Sequence, residues 1–514
     1  MVWFDLYYFD LYYHEYIGSS GIIMHLLGID VGSSFVKASV LDAETGRCVG
    51  AASSPDQEMT IASPKPGWAE QDPNLWWENT VLAVRKACAA APSSQIKAIG
   101  ISYQMHGLVV IDKNGTVARP AIIWCDGRAV EIGNKAFADI GPETCLSTML
   151  NSPGNFTASK LKWVKDNEPE IFKKIFKIML PGDYIAMKLT GEIATTPSGL
   201  SEGIMWDFKR RKRADFVLDN YGIPHDMIPS TVPTFSVQGG LLKNIADQLG
   251  LPAGTPVAYR AGDQPNNALS LNVLNPGEIA ATAGTSGVVY GVTDSSKYDP
   301  ACRVNTFVHV NYSSDLPRYG ILLCVNGTGI LNRWMRTTMC GPGMTYDLMN
   351  ALARQAPPGC DGLLVLPYGN GAERTLENRN IHASFANIDF SVHTQGHLLR
   401  AAQEGIVFAL RYGLDVMRDM GVTIQVVRAG HANMFQSPLF AEVFATTVQA
   451  DIELYNTDGS QGAARGAGVG AGLYKGLHEA FSNLKVVQRV RPNNELKSVY
   501  DDTYARWKDL VLKS

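Results

Sequence analysis

Residues 26–40 read Leu-Leu-Gly-Ile-Asp-Val-Gly-Ser-Ser-Phe-Val-Lys-Ala-Ser-Val, which is an apolar segment, a turn of small residues and a second apolar segment. This pattern predicts a β-hairpin whose turn is Gly32-Ser33-Ser34. In such a turn the backbone N–H groups can approach an anion closely, and the serine hydroxyls add further donors. Asp30, at the end of the first strand, can hold Mg²⁺ directly or through water. Taken alone, an ordinary hairpin is the commoner explanation, because such turns are frequent.

A second unit of the same kind lies in the other half of the chain. Residues 279–290 run from an apolar segment through Gly284-Thr285-Ser286-Gly287 into a second apolar segment. Two such hairpins suggest a duplication with a cleft between the halves, and two turns facing one cleft could hold the triphosphate of ATP. Neither a Walker sequence nor a GxGxxG motif occurs, so a P-loop or a Rossmann nucleotide site lacks its main support.

The composition is that of a globular protein. The 514 residues are 46% hydrophobic and carry 45 basic against 49 acidic side chains, a formal charge of −4. The charge argues against a nucleic-acid partner, and no apolar run approaches the length of a membrane span. The eight cysteines form no CxxC motif, which fits reduced thiols and a cytoplasmic location. Strands alternating with helices indicate an α/β fold.

The first 23 residues have a composition of their own. Met1 to Tyr16 is rich in aromatic residues interrupted by acidic ones, and the first basic residue of the chain is Lys37. A signal peptide needs a positive start and an uninterrupted apolar core, and this stretch has neither. Residues 1–23 are therefore predicted to be an extension outside the fold, with Met24 directly before the first strand. An aromatic membrane anchor is the alternative.

Three motifs place polar side chains where apolar segments end. Gln104-Met105-His106-Gly107 offers a histidine that can bond a sugar hydroxyl, and Trp124-Cys125-Asp126-Gly127-Arg128 combines a flat apolar ring with a carboxylate. Asp263 follows Gly262 at the end of a predicted strand, where ligands of α/β sheets bind and where a carboxylate can take a proton from a hydroxyl. The alternatives are a structural histidine, an Asp–Arg pair and a helix-capping aspartate.

Two further segments need separate explanations. Gly199-Leu-Ser201-Glu-Gly203 matches the GxSxG pattern of serine hydrolases, but its flanks predict neither the strand before it nor the helix after it that the motif needs. Residues 462–472 are rich in glycine and alanine. They predict a helix packed closely against a sheet or a nucleotide.

In their order and spacing, these pieces resemble the FGGY carbohydrate kinases over about residues 24–480. Each motif is weak alone, and together they are specific. The residues that carry the resemblance are 27–34, 67–73, 104–107, 124–128, 156–161, 181–184, 262–263, 284–287, 366–368, 373–375 and 462–464. The resemblance implies two ribonuclease-H-like, actin-like domains that flank a catalytic cleft. It implies domains at 24–268 (sugar) and 269–480 (nucleotide), followed by a helical tail at 481–514.

The resemblance also assigns roles to single residues. Asp263 is expected to be the catalytic base, and Asp30 to lie near Mg²⁺ and the transferred phosphate. The sugar would contact Met105, His106, Asp126 and Asp263. The residues expected to bind ATP are Gly32, Ser33, Ser34, Gly284, Thr285, Ser286, Gly329, Gly430 and Asn433.

The expected reaction is ATP-dependent phosphorylation of the 5-hydroxyl of D-xylulose, with Mg²⁺. Other FGGY kinases, for ribulose, fuculose or gluconate, are the nearest alternatives. An actin- or Hsp70-like ATPase acting on a protein partner and a GxSxG hydrolase are more distant ones. No membrane or nucleic-acid partner is expected, and a homodimer is a further expectation.

Overall fold

The computed structural model of the protein describes residues 23–514, so the predicted extension lies outside the described residues except for Ile23. Two mixed sheets form the centres of the two halves. The strands are β1 (His25–Val31), β2 (Val36–Asp42), β3 (Cys48–Ser54), β4 (Glu70–Gln71), β5 (Ile96–Tyr103), β6 (Val109–Ile111), β7 (Ala121–Ile122), β8 (Lys177–Met179), β9 (Ala194–Thr195), β10 (Trp206–Asp207), β11 (Lys212–Arg213), β12 (Ser230–Thr231), β13 (Val257–Gly262), β14 (Glu278–Ala283), β15 (Gly287–Thr293), β16 (Asn305–Val308), β17 (Tyr319–Val325), β18 (Leu364–Tyr368), β19 (His382–Ala386), β20 (Val426–Gly430), β21 (Asp451–Tyr455) and β22 (Val486–Val490).

Helices cover these sheets and fill the connections between strands. They are α1 (Pro73–Cys88), α2 (Val130–Ile140), α3 (Pro142–Met149), α4 (Thr157–Asn167), α5 (Pro169–Phe172), α6 (Pro181–Thr190), α7 (Pro197–Glu202), α8 (Asp215–Tyr221), α9 (Lys243–Leu249), α10 (Asp263–Ser270), α11 (Gly329–Trp334), α12 (Tyr346–Ala353), α13 (Gln395–Asp419), α14 (Pro438–Val448), α15 (Gly459–Gly470), α16 (Leu477–Ala480) and α17 (Lys497–Lys513). Within residues 23–514, every helix is too short or too polar to cross a membrane.

The two sheets repeat one topology. The first has the order β13-β5-β1-β2-β3, and the second contains β21-β20-β14-β15-β17 in the same arrangement, with β22 and β16 added at its edges. In both, the first hairpin is antiparallel and the next two strands are parallel to its first strand. The duplication and the two-domain α/β class predicted from the two hairpins are therefore confirmed.

Helix α15 lies directly on the first sheet, although in the chain it follows β21 of the second sheet. A Cβ at Gly28 would lie 1.8 Å from the carbonyl oxygen of Ser460, and one at Gly100 would lie 2.0 Å from that of Ala463. Glycines on the strands thus bring the helix backbone into contact with β1 and β5. The prediction of a closely packed helix at residues 462–472 is confirmed, with the helix ending at Gly470.

Two expectations about the chain's organisation need comment. The tail at 481–514 is helical only in part, because it also contributes β22 to the second sheet. Its helix α17 buries Tyr500 and Trp507 in the hydrophobic core beside that sheet. The domain boundary at residue 268 stays a prediction. A separate hydrophobic core is built mainly from residues between β5 and β13, and Phe307 and Val308 of β16 also pack into it.

We expect Gly100→Ala to lower the free energy of unfolding by about 1–3 kcal/mol, because the added methyl meets backbone that cannot move aside. Urea denaturation would measure the change. Gly476→Ala is the matched control, since its Cβ meets no atom within 4 Å. Equal stability of the two variants would show that the contact between α15 and the sheet is loose.

Candidate active site

A cleft of about 760 Å³ lies between the two halves and collects most of the predicted residues. It is lined by Asp30, Gly32, Ser33 and Ser34 from the first hairpin and by Thr285 and Ser286 from the second. Met105, His106 and Asp263 line the same cleft. The two glycine-serine turns therefore face one space, as the sequence predicts.

A second cavity of about 340 Å³ adjoins this cleft at Thr285. Gly284, Gly329 and Asn433 line it. Gly329 is held against the second turn because its N–H donates to the carbonyl of Gly284, at 2.9 Å. Gly430 lies at the end of β20 and lines neither cavity, and its contact with ATP stays a prediction.

Asp263 begins α10 immediately after strand β13. Its side chain does not cap the helix, since the N-cap residue is Gly262 and no side-chain capping bond forms. Burial, together with the nearby charge of Asp30, raises the pKa of Asp263 to about 7. The pKa of Asp30 is also raised, first by burial. A carboxyl group with a pKa near neutrality can both accept and release a proton at physiological pH.

His106 presents one ring nitrogen as an acceptor. Its Nδ1 lies 2.9 Å from the backbone carbonyl oxygen of Glu202, and a carbonyl only accepts, so Nδ1 carries the hydrogen. Burial, with the charge of Lys160, lowers the pKa of His106 to about 3, so the ring is neutral and Nε2 is unprotonated. The side chain can therefore accept a hydrogen bond from a hydroxyl in the cleft.

Asp126 does not line the cleft, and the expectation that it faces a sugar is corrected. Its carboxylate is fully buried and ion-paired with Arg128 at 2.7 Å. It also accepts the backbone N–H of Ala69, at 2.6 Å. The Asp–Arg pair is the better explanation of this motif, and the cleft takes only Trp124 from it.

Comparison with known proteins supports this geometry. Residues 25–270 match the N-terminal domain of the FGGY family of carbohydrate kinases, and residues 279–472 match its C-terminal domain. The chain belongs to the FGGY family. It is thus a carbohydrate kinase, and the kinases of this family use ATP as a substrate.

The relatives in this family cover nearly the whole chain. The xylulose kinase of Escherichia coli is 30% identical over 85% of this chain and 87% of its own. The xylulose kinase of Bacillus subtilis is 29% identical over 95% and 99%. The crystal structure of xylulose kinase from Rhodospirillum rubrum matches with a TM-score of 0.86 and 27% identity, covering 95% of this chain and 98% of that one.

Several residues in or behind the cleft were not assigned from the sequence. Gln71 donates from Nε2 to the carbonyl of Ser33, at 2.6 Å, and so supports the first turn. Asn155, Phe156 and Arg374 line the end of the cleft near His106. Arg374 was noted only as part of a motif, and its guanidinium lies 5.6 Å from the ring centre of Phe156. Gln71, Phe156 and Arg374 belong to motifs that carry the resemblance, but their partners are distant in sequence, so the motifs alone assign them no role; Gln71 lies behind the first turn and does not line the cleft.

The hydrolase explanation of GxSxG is wrong. Ser201 is 1% exposed, its hydroxyl donates to the carbonyl of Ser198 and it accepts the N–H of Val308. A buried hydroxyl in two backbone hydrogen bonds cannot act as a nucleophile on an ester.

The contribution of Asp263 to the free energy of unfolding should fall as the pH rises. Its folded pKa of about 7 exceeds the unfolded value of about 3.9, so the folded state binds the proton more tightly. This stabilisation is fully present below pH ~4 and is lost as the pH rises through ~7. Urea unfolding without nucleotide should therefore show wild type losing stability relative to Asp263→Asn between pH 5 and pH 8. A constant difference between the two proteins would contradict the raised pKa.

Proposed function

We propose that the chain transfers the γ-phosphoryl group of ATP to the 5-hydroxyl of D-xylulose. The observation that carries the proposal is the meeting of His106 and Asp263 in the one cleft that both glycine-serine turns face. The relatives named xylulose kinase support the choice of sugar. Gln104, Asn155 and Arg374 also line the cleft and offer further polar groups to the hydroxyls of a sugar.

The sugar binds in the half of the cleft lined by Met105, His106 and Asp263. Gly262 makes room there, since a Cβ at that position would lie 2.6 Å from Cγ of Met105. Nε2 of His106 accepts a hydrogen bond from a sugar hydroxyl and orients the ring or chain of the sugar. Asp263 accepts the proton of the attacking hydroxyl, which then attacks the γ-phosphorus.

ATP binds across the two turns. The backbone N–H groups and hydroxyls of residues 32–34 and 284–286 would hold the phosphates, and the adjoining cavity with Gly329 and Asn433 would take the nucleoside. Little covalent work falls to the protein in phosphoryl transfer, so positioning and charge stabilisation dominate. A closed cleft also limits the transfer of phosphate to water.

Mg²⁺ fits the carboxylates of the cleft. Asp30 and Asp263 both line the cleft, and the charge of Asp30 adds to burial in raising the pKa of Asp263, so a cation beside them would stabilise the ionised carboxylates. Among residues 23–514 no group of three or more His, Cys, Asp or Glu side chains could hold a metal. Asp30, directly or through water, and the phosphates would therefore share the ion, which is the usual mode for Mg²⁺. When bound, the ion neutralises charge on the phosphates.

The location in the cell and the oligomeric state are also part of the proposal. All eight cysteines are free thiols, which supports a cytoplasmic location. A homodimer stays a prediction.

ADP release should depend on D-xylulose and be much slower with ribulose, fuculose, gluconate or glycerol. A sugar panel with a no-sugar blank measures this directly. Preference for another sugar would move the proposal to another kinase of the family. Equal ADP release without any sugar would favour an ATPase of the actin or Hsp70 type.

Asp263→Asn should lower kcat by about 10²- to 10⁴-fold, because it keeps the shape of the side chain and loses the proton acceptor. Mg·ATP binding, followed by calorimetry, should persist, since the phosphate turns lie elsewhere. If Asp263→Asn kept more than about a tenth of wild-type kcat, Asp263 would not be the general base. Asp30 would then be the next candidate.

His106→Ala should raise KM for the sugar by about 5- to 150-fold, the cost of ~1–3 kcal/mol for a lost hydrogen bond to an oriented group. KM for ATP is the internal control and should change little. Steady-state kinetics with each substrate varied in turn would separate the two. An unchanged sugar KM would make His106 a structural residue.

A further inference from the structure

Glu202 lies beneath the loop that carries His106. It is the last residue of α7, only 1% exposed, and belongs to the GxSxG segment whose hydrolase explanation fails. No role in phosphoryl transfer follows from its position, because it does not line the cleft. Its hydrogen bonds nevertheless point to the sugar-binding loop.

Both oxygens of the Glu202 carboxylate accept from that loop. Oε1 accepts the hydroxyl of Tyr103, at 2.6 Å, and Oε2 accepts the backbone N–H of His106, at 3.2 Å. His106 has a φ of 62°, a left-handed conformation that is unfavourable for a residue with a side chain. The carboxylate therefore ties Tyr103, the last residue of β5, to His106, which lies three residues later.

The main chain of Glu202 fixes the histidine ring as well. Its carbonyl accepts from Nδ1 of His106, which leaves Nε2 as the acceptor. Lys160 completes the support by donating from Nζ to the carbonyls of His106 and Ile123, each at 2.9 Å. The loop is thus held by one buried acid below it and one buried base beside it.

Helix α7 itself is anchored to the other half of the protein. Ser201 accepts the N–H of Val308 at 2.9 Å, and Ser198 donates to the carbonyl of Val308 at 3.2 Å. Val308 ends β16, the edge strand of the second sheet. Glu202 therefore stands on a support that is fixed to the nucleotide half.

We propose that Glu202 is a positioning residue for sugar binding, which holds the loop of His106 so that Nε2 faces the sugar. The role rests on the proposed sugar kinase function. It is an indirect one, because Glu202 acts through His106 and does not contact the substrate. Its removal should change the affinity for sugar while leaving the nucleotide site intact.

Glu202→Met removes both acceptors at similar volume, and we expect KM for D-xylulose to rise roughly 10- to 100-fold, as for other supports of a ligand-binding histidine. KM for ATP should stay near that of wild type. Glu202→Gln should restore sugar KM to within about fivefold, because one amide oxygen can accept from His106 and the amide N–H can donate to the Tyr103 hydroxyl. Glu202→Asp keeps the carboxyl group but is one methylene too short to reach both donors, so its KM for D-xylulose should rise.

Ser201→Ala is the matched control, because it changes the neighbouring buried residue of the same helix and retains the bond from Ser198. The free energy of unfolding of this variant should fall, whereas its KM for D-xylulose should stay near that of wild type. If Ser201→Ala raised the sugar KM as much as Glu202→Met, the effect would belong to the helix as a whole and the role of Glu202 would be rejected.

Other outcomes are equally decisive. Unchanged sugar KM in a folded Glu202→Met rejects the proposal while leaving the proposed function standing. If Glu202→Met does not fold, the comparison of Glu202→Asp with Glu202→Gln decides, and equal sugar KM in these two rejects it. Absence of sugar-dependent ADP release already in wild type would reject the proposed function itself, and this role with it.

Discussion

Two partly buried carboxylates, Asp30 at the end of β1 and Asp263 directly after β13, line the cleft at the carboxyl ends of strands that flank β5 in one sheet. Burial raises the pKa of both, and the charge of Asp30 raises that of Asp263 further. In the proposed reaction this cost of ionisation has a use, because Asp263 takes a proton and Asp30 stands near a cation. Reaction partners that bring positive charge, or that donate a hydrogen bond, lower the cost. The site is thus built to be stabilised by its own substrates.

The fold could be predicted from the sequence largely because the duplication leaves local signals. Each half opens with apolar segments around a small-residue turn. The helix at 459–470 is predicted by its many glycines and alanines. The strand inside the predicted tail, β22, has no such signal, because an edge strand of five residues looks like any short polar-apolar mixture. Its pairing with β21 is decided only in three dimensions.

The site could be predicted where a residue's role depends on its own segment. His106 and Asp263 follow strands and line the cleft as expected. Asp126 was misplaced because its motif fits either a carboxylate that faces a sugar or one that is ion-paired with Arg128. The sequence does not show which of the two the carboxylate contacts, and in the structure it is Arg128. Glu202 was missed because its partners, Tyr103 and His106, lie far away in the chain, while its own neighbours spell the motif of another enzyme class.

The position of α15 has a consequence for how the protein is made. Strands β1 and β5 leave the ribosome early, but α15, the helix that covers them, leaves only after β14 to β21 of the second sheet have been synthesised. Until then, the glycine-lined face of the first sheet lacks its permanent partner and is open to chaperones or to aggregation. The first half therefore completes its folding only after α15, and with it most of the second half, has been translated.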